Sequence, residues 1–224
     1  MIGQRYRELA DEVSSLSGGS TRILLAAKHQ SPENIAAALE AGATLLGHNI
    51  IQQLVSTENA LSGAPAHDTH VIGPVQSNKV RDATRYADVI ESVDRMKIAA
   101  RIEMMAEANN TVQDIFLQVN SAGADTQGGL PPSEVLAFAD MVSADLPHVR
   151  VTGLMTIGAH TDDQSLIHAS FETTRELRDK LRASGHTHCT ELSMGMSGDY
   201  RIAIEHGATI VRLGRTIFGD RPAT

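Results

Sequence analysis

Strand-like and helix-like segments alternate along the whole sequence, and this alternation restricts the fold to a small set. After a first helix over residues 3–16, a predicted strand is followed by a predicted helix or helical turn eight times. Such alternation implies a parallel sheet with right-handed crossovers. Eight units predict closure into a single (β/α)8 TIM barrel, an α/β fold, with an open doubly wound sheet as the alternative. The strands are predicted at 22–28, 43–46, 69–72, 88–91, 112–120, 148–157, 187–193 and 208–213.

Composition supports one domain and excludes several classes of function. With 42% apolar residues and no linker-like break, the chain is expected to form one domain over residues 1–224. Its formal net charge of −8 argues against a general nucleic-acid-binding surface. Its one cysteine, Cys189, excludes an intramolecular disulfide. We find no signal peptide and no bilayer-spanning apolar run, so we expect a soluble, cytoplasmic protein.

The first predicted strand ends in a lysine. Five apolar residues precede Lys28, and strand alternation places Lys28 on the same face as Leu24 and Ala26. In a barrel this position lies at the C-terminal end of the strand, where functional groups are found. Two interpretations stay open here: the lysine extends to solvent as the strand ends, or its neutral amine is a nucleophile for an aldehyde.

Two loops suit a phosphate group. Residues 193–199, after the seventh strand, are small and lead into a helix, and Gly214-Arg215-Thr216 follows the eighth strand. Barrels commonly hold phosphate after these two strands, and backbone N–H groups at helix starts bind anions. The small residues of either loop alone could simply form a turn, but two such loops in these two positions favour a phosphate site.

Arg212 is unusual because it interrupts an apolar strand. Its neighbours Val211 and Leu213 form the opposite face of the strand, which should pack against the helices. The guanidinium is therefore expected to point into the barrel. A buried arginine needs an acceptor, which is either a carboxylate or a ligand atom. A lysine, a phosphate site and this cation together describe a pocket for an aldehyde that carries a phosphate. Pyridoxal 5′-phosphate (PLP) is such a molecule.

Several motifs give the sequence a more specific identity. They are GHN at 47–49, IGPVQSNK at 72–79, QVN at 118–120, GLMTI at 153–157, LSMGMSGD at 192–199 and EHGATIVRLG at 205–214. With these motifs the sequence resembles the pyridoxal-phosphate homeostasis protein family over about residues 22–219. That family comprises single-domain relatives of the alanine racemase N-terminal barrel.

The resemblance implies a set of cofactor-binding residues, and we expect no metal site. Lys28 would form the Schiff base with PLP, Ser197 would help to hold the phosphate, and Arg212 would face the pyridine nitrogen. Met194 and Met196 could also line the pocket, although methionines near a core often only fill space. The complete implied set is Lys28, Asn49, Met194, Ser197, Arg212, Gly214 and Arg215.

The sequence also departs from the family pattern around this site. His48 stands where a glutamate is usual, Pro74 where a histidine is usual, and Gln127 where a lysine is common. Arg215 replaces a small residue beside the expected phosphate, and Ala27 replaces Ser or Val. We therefore expect altered cofactor affinity or a changed ligand.

The resemblance implies a non-catalytic protein of intracellular PLP homeostasis, which buffers the cofactor or delivers it to apo-enzymes. Racemase relatives carry a second domain with a catalytic tyrosine, and we expect none here because the sequence ends five residues after Gly219. The alternative is a low-activity fold-type III enzyme such as an amino-acid racemase, using Lys28 with Tyr200, His48 or His29. A third possibility is an aldolase-like barrel that acts on a sugar phosphate. We expect a monomer or a weak homodimer.

The remaining histidine clusters are interpreted as structural. His186, His188 and Cys189 resemble zinc ligands but fall at the start of the seventh strand, away from the expected site. His67 and His70 flank a loop-to-strand junction and are expected at the surface.

Overall fold

The computed structural model describes residues 1–219 and contains a closed barrel of eight parallel strands. Each strand pairs with its neighbours in chain order, and β1 closes the ring with β8. The predicted (β/α)8 barrel is confirmed, and the open sheet is excluded. The strands are β1 Arg22–Ala26, β2 Leu45–His48, β3 Asp68–Val71, β4 Val89–Val93, β5 Gln113–Gln118, β6 Val149–Met155, β7 Glu191–Ser193 and β8 Ile210–Leu213.

The helices surround the barrel, and α1 precedes the first strand and packs against α2, α8 and α9. Their bounds are α1 Ile2–Ser17, α2 Pro32–Glu40, α3 Ile51–Ala60, α4 Val80–Tyr86, α5 Met96–Ala108, α6 Val135–Asp145, α7 Gln164–Ala183, α8 Tyr200–Glu205 and α9 Arg215–Phe218. A 3-10 turn, Pro132–Glu134, leads into α6. Within residues 1–219, no helix combines the length and apolarity that crossing a membrane would need.

Local chemistry explains where the helix after β1 begins. Ser31 accepts a hydrogen bond from the backbone N–H of Asn34, and Pro32 occupies the first helical position, where its missing N–H costs nothing. Glu33 adds an acidic group to the first turn, which is favourable beside the helix N-terminus. These three residues end the loop that follows Lys28.

The core has two layers. Most buried apolar residues lie between the strands and the helices. A smaller cluster fills the barrel interior with Leu24, Leu45, Phe116, Met155 and Ile210. Gly47 makes room for this cluster, because a Cβ atom there would overlap the side chain of Leu24. The interior cluster fills the barrel below its C-terminal end and so forms the floor beneath that end.

Candidate functional site

A cavity of about 780 Å³ opens at the C-terminal end of the barrel. Its walls come from the C-terminal ends of β1, β2, β3, β6, β7 and β8 and the segments that follow them, and Met155 and Ile72 form part of its lining. This is the end of a (β/α)8 barrel at which active and binding sites occur. Polar and charged side chains from separate strands therefore meet around one space.

Lys28 lies two residues beyond the end of β1, is half-buried and lines the cavity. The next residue, His29, has φ +62°, a left-handed conformation that turns the chain away from the barrel mouth. The His29 ring lies outside the cavity, where its Nδ1 is hydrogen-bonded to Nε2 of Gln53 at 3.2 Å. The turn thus separates the lysine, which faces the cavity, from the following residues, which lead to α2.

Arg212 lies inside the barrel with only 5% of its surface exposed, and it lines the same cavity. Its Nη1 donates to the carbonyl oxygen of Ser193 at 2.6 Å, and its Nη2 donates to that of Thr156 at 2.7 Å. Burial lowers the pKa of Arg212, while the negative charges of Glu91 and Asp199 act in the opposite direction. The predicted orientation is confirmed, since Val211 and Leu213 pack outward in the core.

The loops after β7 and β8 contact each other. The Thr216 hydroxyl donates to the Ser197 hydroxyl at 2.9 Å, which joins the two predicted phosphate segments. Asp199 braces the first loop because its Oδ1 accepts the N–H of Met196 at 2.6 Å. Burial raises the pKa of the Asp199 carboxyl. Gly214 packs so closely that an added Cβ would lie 3.1 Å from the carbonyl oxygen of Ala26, which brings the β8 loop beside β1.

Comparison with known proteins decides the family. The model of the alanine racemase N-terminal domain matches residues 12–222. The pyridoxal phosphate homeostasis protein of Aquifex aeolicus is 37% identical over 200 residues, covering 89% of this chain and 87% of that protein. The pyridoxal phosphate homeostasis protein of Vibrio cholerae is 34% identical over 217 residues, covering 96% of this chain and 91% of that protein. The chain belongs to the pyridoxal phosphate homeostasis protein family.

Solved structures agree with this family assignment. A protein of unknown function from Bifidobacterium adolescentis has 33% identity and a TM-score of 0.91, with 97% of this chain and 94% of that chain covered. PipY of Synechococcus elongatus, solved with PLP bound, has 29% identity and a TM-score of 0.88, with 98% and 100% covered. An alanine racemase of Clostridium difficile shares only the fold, at 16% identity and a TM-score of 0.77. The match covers 98% of this chain and 57% of that racemase.

The structure brings together all but one of the residues that the family resemblance implied. The cavity is lined by Lys28, Asn49, Ser197, Arg212, Gly214 and Arg215. Met194 is the exception: it is fully buried in the core between the strands and the helices. Met194 and Met196 do not share an environment, because Met196 lines the cavity instead. The prediction that Met194 contacts a ligand is therefore not supported by its position.

The proposed acid–base partners of Lys28 do not line the cavity. Tyr200 donates its hydroxyl hydrogen to Glu12 of α1 at 2.7 Å. His48 points outward from β2, with its Nε2 3.7 Å from an oxygen of Glu58. Its departure from the family pattern therefore affects the packing of α3 against β2 rather than the cavity lining. His29 is held at Gln53, as described above.

A polar group at the mouth of the cavity was not predicted from the sequence. His160, Thr161 and Asp162 follow β6 and line the same space, together with Gln30. The barrel rule was the available signal, since it places every loop that follows a strand at this mouth. The loop after β6 carries no glycine-rich motif, so no local sequence pattern marked it as part of a binding site.

The prediction that His67 and His70 lie at the surface was wrong for His70, while His67 is half-buried. His70 is 3% exposed, and its Nδ1 bonds Glu91 inside the barrel at 2.5 Å. Nε2 of His67 bonds Glu58 at 3.2 Å. The pattern of alternation was available as a signal, because His70 shares a strand face with Ile72, which lines the cavity.

The zinc-like sequence at residues 186–189 forms a turn before β7 rather than part of the strand. His186 bonds Asp140 at 2.8 Å, while Cys189 is fully buried, which raises the pKa of its thiol to about 12. Among residues 1–219, no group of three or more His, Cys, Asp or Glu side chains has a metal-binding arrangement.

Proposed function

We propose that this protein binds PLP through Lys28 and functions in PLP homeostasis, as a carrier that buffers or delivers the cofactor. The observation that carries the proposal is that the Lys28 amine and the Arg212 guanidinium line one cavity with the joined loops at Ser197 and Gly214. The names of the relatives from Aquifex and Vibrio and the PLP-bound structure of PipY support it.

The chemistry of the cavity fits this cofactor. When bound, PLP supplies an aldehyde, a phosphate dianion and a pyridine ring. Lys28 provides the amine for the aldehyde, and the Ser197 hydroxyl with the backbone N–H groups of Gly214 and Arg215 provides donors for the phosphate. Asn49 would lie beside the ring. Arg215 adds a positive charge at the same rim, where the phosphate is negative.

Arg212 determines what kind of PLP chemistry this site favours. A guanidinium has donors but no acceptor, and it does not give up its proton at physiological pH. If it faces the pyridine nitrogen, as the family resemblance implies, Arg212 would donate a hydrogen bond to that nitrogen and leave it unprotonated. The ring would then withdraw electrons less strongly, and the site would stabilise a carbanion poorly. This property suits storage and exchange of the cofactor better than catalysis.

One observation favours a second candidate, a low-activity amino-acid racemase. His160 and Asp162 line the same cavity as Lys28 and are exposed, so a proton donor or acceptor is available at the mouth. Exchange of the Cα hydrogen of L-amino acids for deuterium, lost in Lys28→Ala, would favour this candidate over the carrier.

The wider biological role is part of the same proposal. We propose that the chain acts as a single domain in the cytoplasm, as a monomer or weak homodimer, and passes PLP to PLP-dependent apo-enzymes. The open mouth of the cavity supports exchange with other proteins, because Arg215 and His160 at the rim are exposed.

An absorbance titration tests the binding proposal. Wild-type protein titrated with PLP should develop an absorbance band distinct from that of free PLP, and Lys28→Ala should lose it. Lys97→Ala is the matched control, because Lys97 is exposed on α5 and outside the cavity lining. An unchanged band in Lys28→Ala, or its loss in Lys97→Ala, would contradict the assignment of Lys28.

A further inference from the structure

A buried polar network crosses the interior of the barrel behind Arg212. Glu91 on β4 is fully buried, and its Oε2 accepts a hydrogen bond from the Ser193 hydroxyl at 2.6 Å. The same Ser193 oxygen accepts from Nη1 of Arg212 at 3.0 Å. On the other side, Oε1 of Glu91 is bonded by Nδ1 of His70 at 2.5 Å. The network thus links β3, β4, β7 and β8.

The roles of donor and acceptor are complementary at every step. A carboxylate only accepts, and Glu91 receives one hydrogen bond on each oxygen, from His70 and from Ser193. A guanidinium only donates, and Arg212 donates to the hydroxyl and carbonyl oxygens of Ser193 and to the Thr156 carbonyl. Since both oxygens of Glu91 are held, the carboxylate cannot rotate without breaking a bond.

We propose that Glu91 is the positioning residue of the cofactor site: acting through Ser193, it fixes the orientation of the Arg212 guanidinium toward the ligand. This inference rests on the proposed function, because it concerns how the site holds PLP. Glu91 does not line the cavity, so it acts on the ligand only through Arg212.

The geometry gives this role a physical basis. Arg212 enters a region with little water, where an uncompensated guanidinium is unfavourable, and Glu91 supplies an opposite charge from the side away from the cavity. The Ser193 hydroxyl transmits the effect, because it holds Nη1 only while its own hydrogen is engaged by Glu91. Loss of the carboxylate frees that hydroxyl to rotate and loosens one of the contacts that orient Arg212.

A double-mutant cycle tests the proposal. Glu91→Gln and Ser193→Ala are each made with Arg212 intact and with Arg212→Gln, and the dissociation constant and absorbance spectrum of bound PLP are measured. With Arg212 intact, each change should weaken PLP binding about tenfold and shift the bound-PLP band. With Arg212→Gln, the same changes should alter the dissociation constant by less than about twofold. Glu91→Asp should restore part of the wild-type spectrum.

Glu58→Gln is the matched control. Glu58 is a carboxylate that bonds a histidine, His67, but it lies outside the barrel on α3, so this change should leave PLP binding and the spectrum unaltered. Equal effects in both Arg212 backgrounds, or none in either, would overturn the positioning role. If Glu91→Gln does not fold, Ser193→Ala decides the same question. A wild-type protein that does not bind PLP would instead refute the proposed function.

Discussion

Arg212 carries a permanent charge into the interior of the barrel, and its surroundings explain how the fold tolerates that charge. Two carbonyl oxygens and the Ser193 hydroxyl accept its hydrogen bonds, and the Glu91 carboxylate lies behind them. Strand alternation predicts that the arginine points inward and needs an acceptor, but it does not distinguish a carboxylate from a ligand atom as that acceptor. In the structure the Glu91 carboxylate contacts Arg212 only through Ser193, and Arg212 itself lines the cavity.

Arg212→Met should destabilise the apoprotein. This change removes the positive charge that faces the buried Glu91 carboxylate across Ser193 and leaves the Ser193 and Thr156 carbonyl oxygens without their donor, and each buried polar group left unsatisfied costs about 1–3 kcal/mol in the free energy of unfolding. The double variant Arg212→Met/Glu91→Gln should recover a substantial part of that loss, because it removes both charges. Urea unfolding of the single and double variants measures the two values. Additive losses in the double variant would show that the two charges do not compensate each other.

The individual helices and strands show which local predictions depend on tertiary contacts. Local signals mark some helix ends: Ser31 caps α2, Asp163 caps α7, and Gly18 in a left-handed conformation ends α1. The second strand was predicted at 43–46 but runs from Leu45 to His48, so His48 belongs to the strand and faces α3. Its register depends on pairing with β1, where Ala26 lies opposite Gly47, and no local pattern encodes that pairing.

Hydroxyl side chains show the same limit of sequence reasoning. Ser92 lies shortly before α5, where a serine could cap the helix, yet its hydroxyl donates to the carbonyl oxygen of Gly73 at 2.6 Å. Ser77 could likewise cap the preceding helix, α4, but that helix begins only at Val80. A serine predicts that a nearby backbone group will be satisfied, but it does not specify whether that group lies in its own helix or in another strand.

The contact between α8 and α1 predicts a dependence of stability on alkaline pH. Burial and the hydrogen bond to Glu12 raise the pKa of Tyr200 from 10.0 to about 12. Because the folded-state pKa exceeds the unfolded-state value, the stability contributed by the phenol is complete below pH 10 and is lost as the pH rises toward 12.

Tyr200→Phe should therefore lower the free energy of unfolding by about 1 kcal/mol at neutral pH. The difference between wild type and variant should shrink at alkaline pH, over the range of the Tyr200 shift. Urea unfolding at a series of pH values follows this difference. A difference that stays constant across that range would contradict the role of the Tyr200–Glu12 hydrogen bond.

In the molecule as a whole, the order of elements carried most of the information about function. Eight strand–helix units predict a barrel, and a barrel gathers the residues after β1, β7 and β8 at one end, although they are far apart in sequence. The chemistry of Lys28, Ser197 and Arg212 could therefore be combined before any coordinates were known. The interior network could not, because it needs the register of four strands and not only their order.

Attachment of PLP to Lys28 is the central claim, and chemical trapping tests it most directly. The sequence contains four lysines, Lys28, Lys79, Lys97 and Lys180, and among them only Lys28 lines the cavity within the described residues. PLP-loaded protein is reduced with borohydride, digested and mapped by mass spectrometry. We expect one stoichiometric pyridoxyl adduct, on Lys28. An adduct spread over the other lysines, or protein that carries none, would contradict the account.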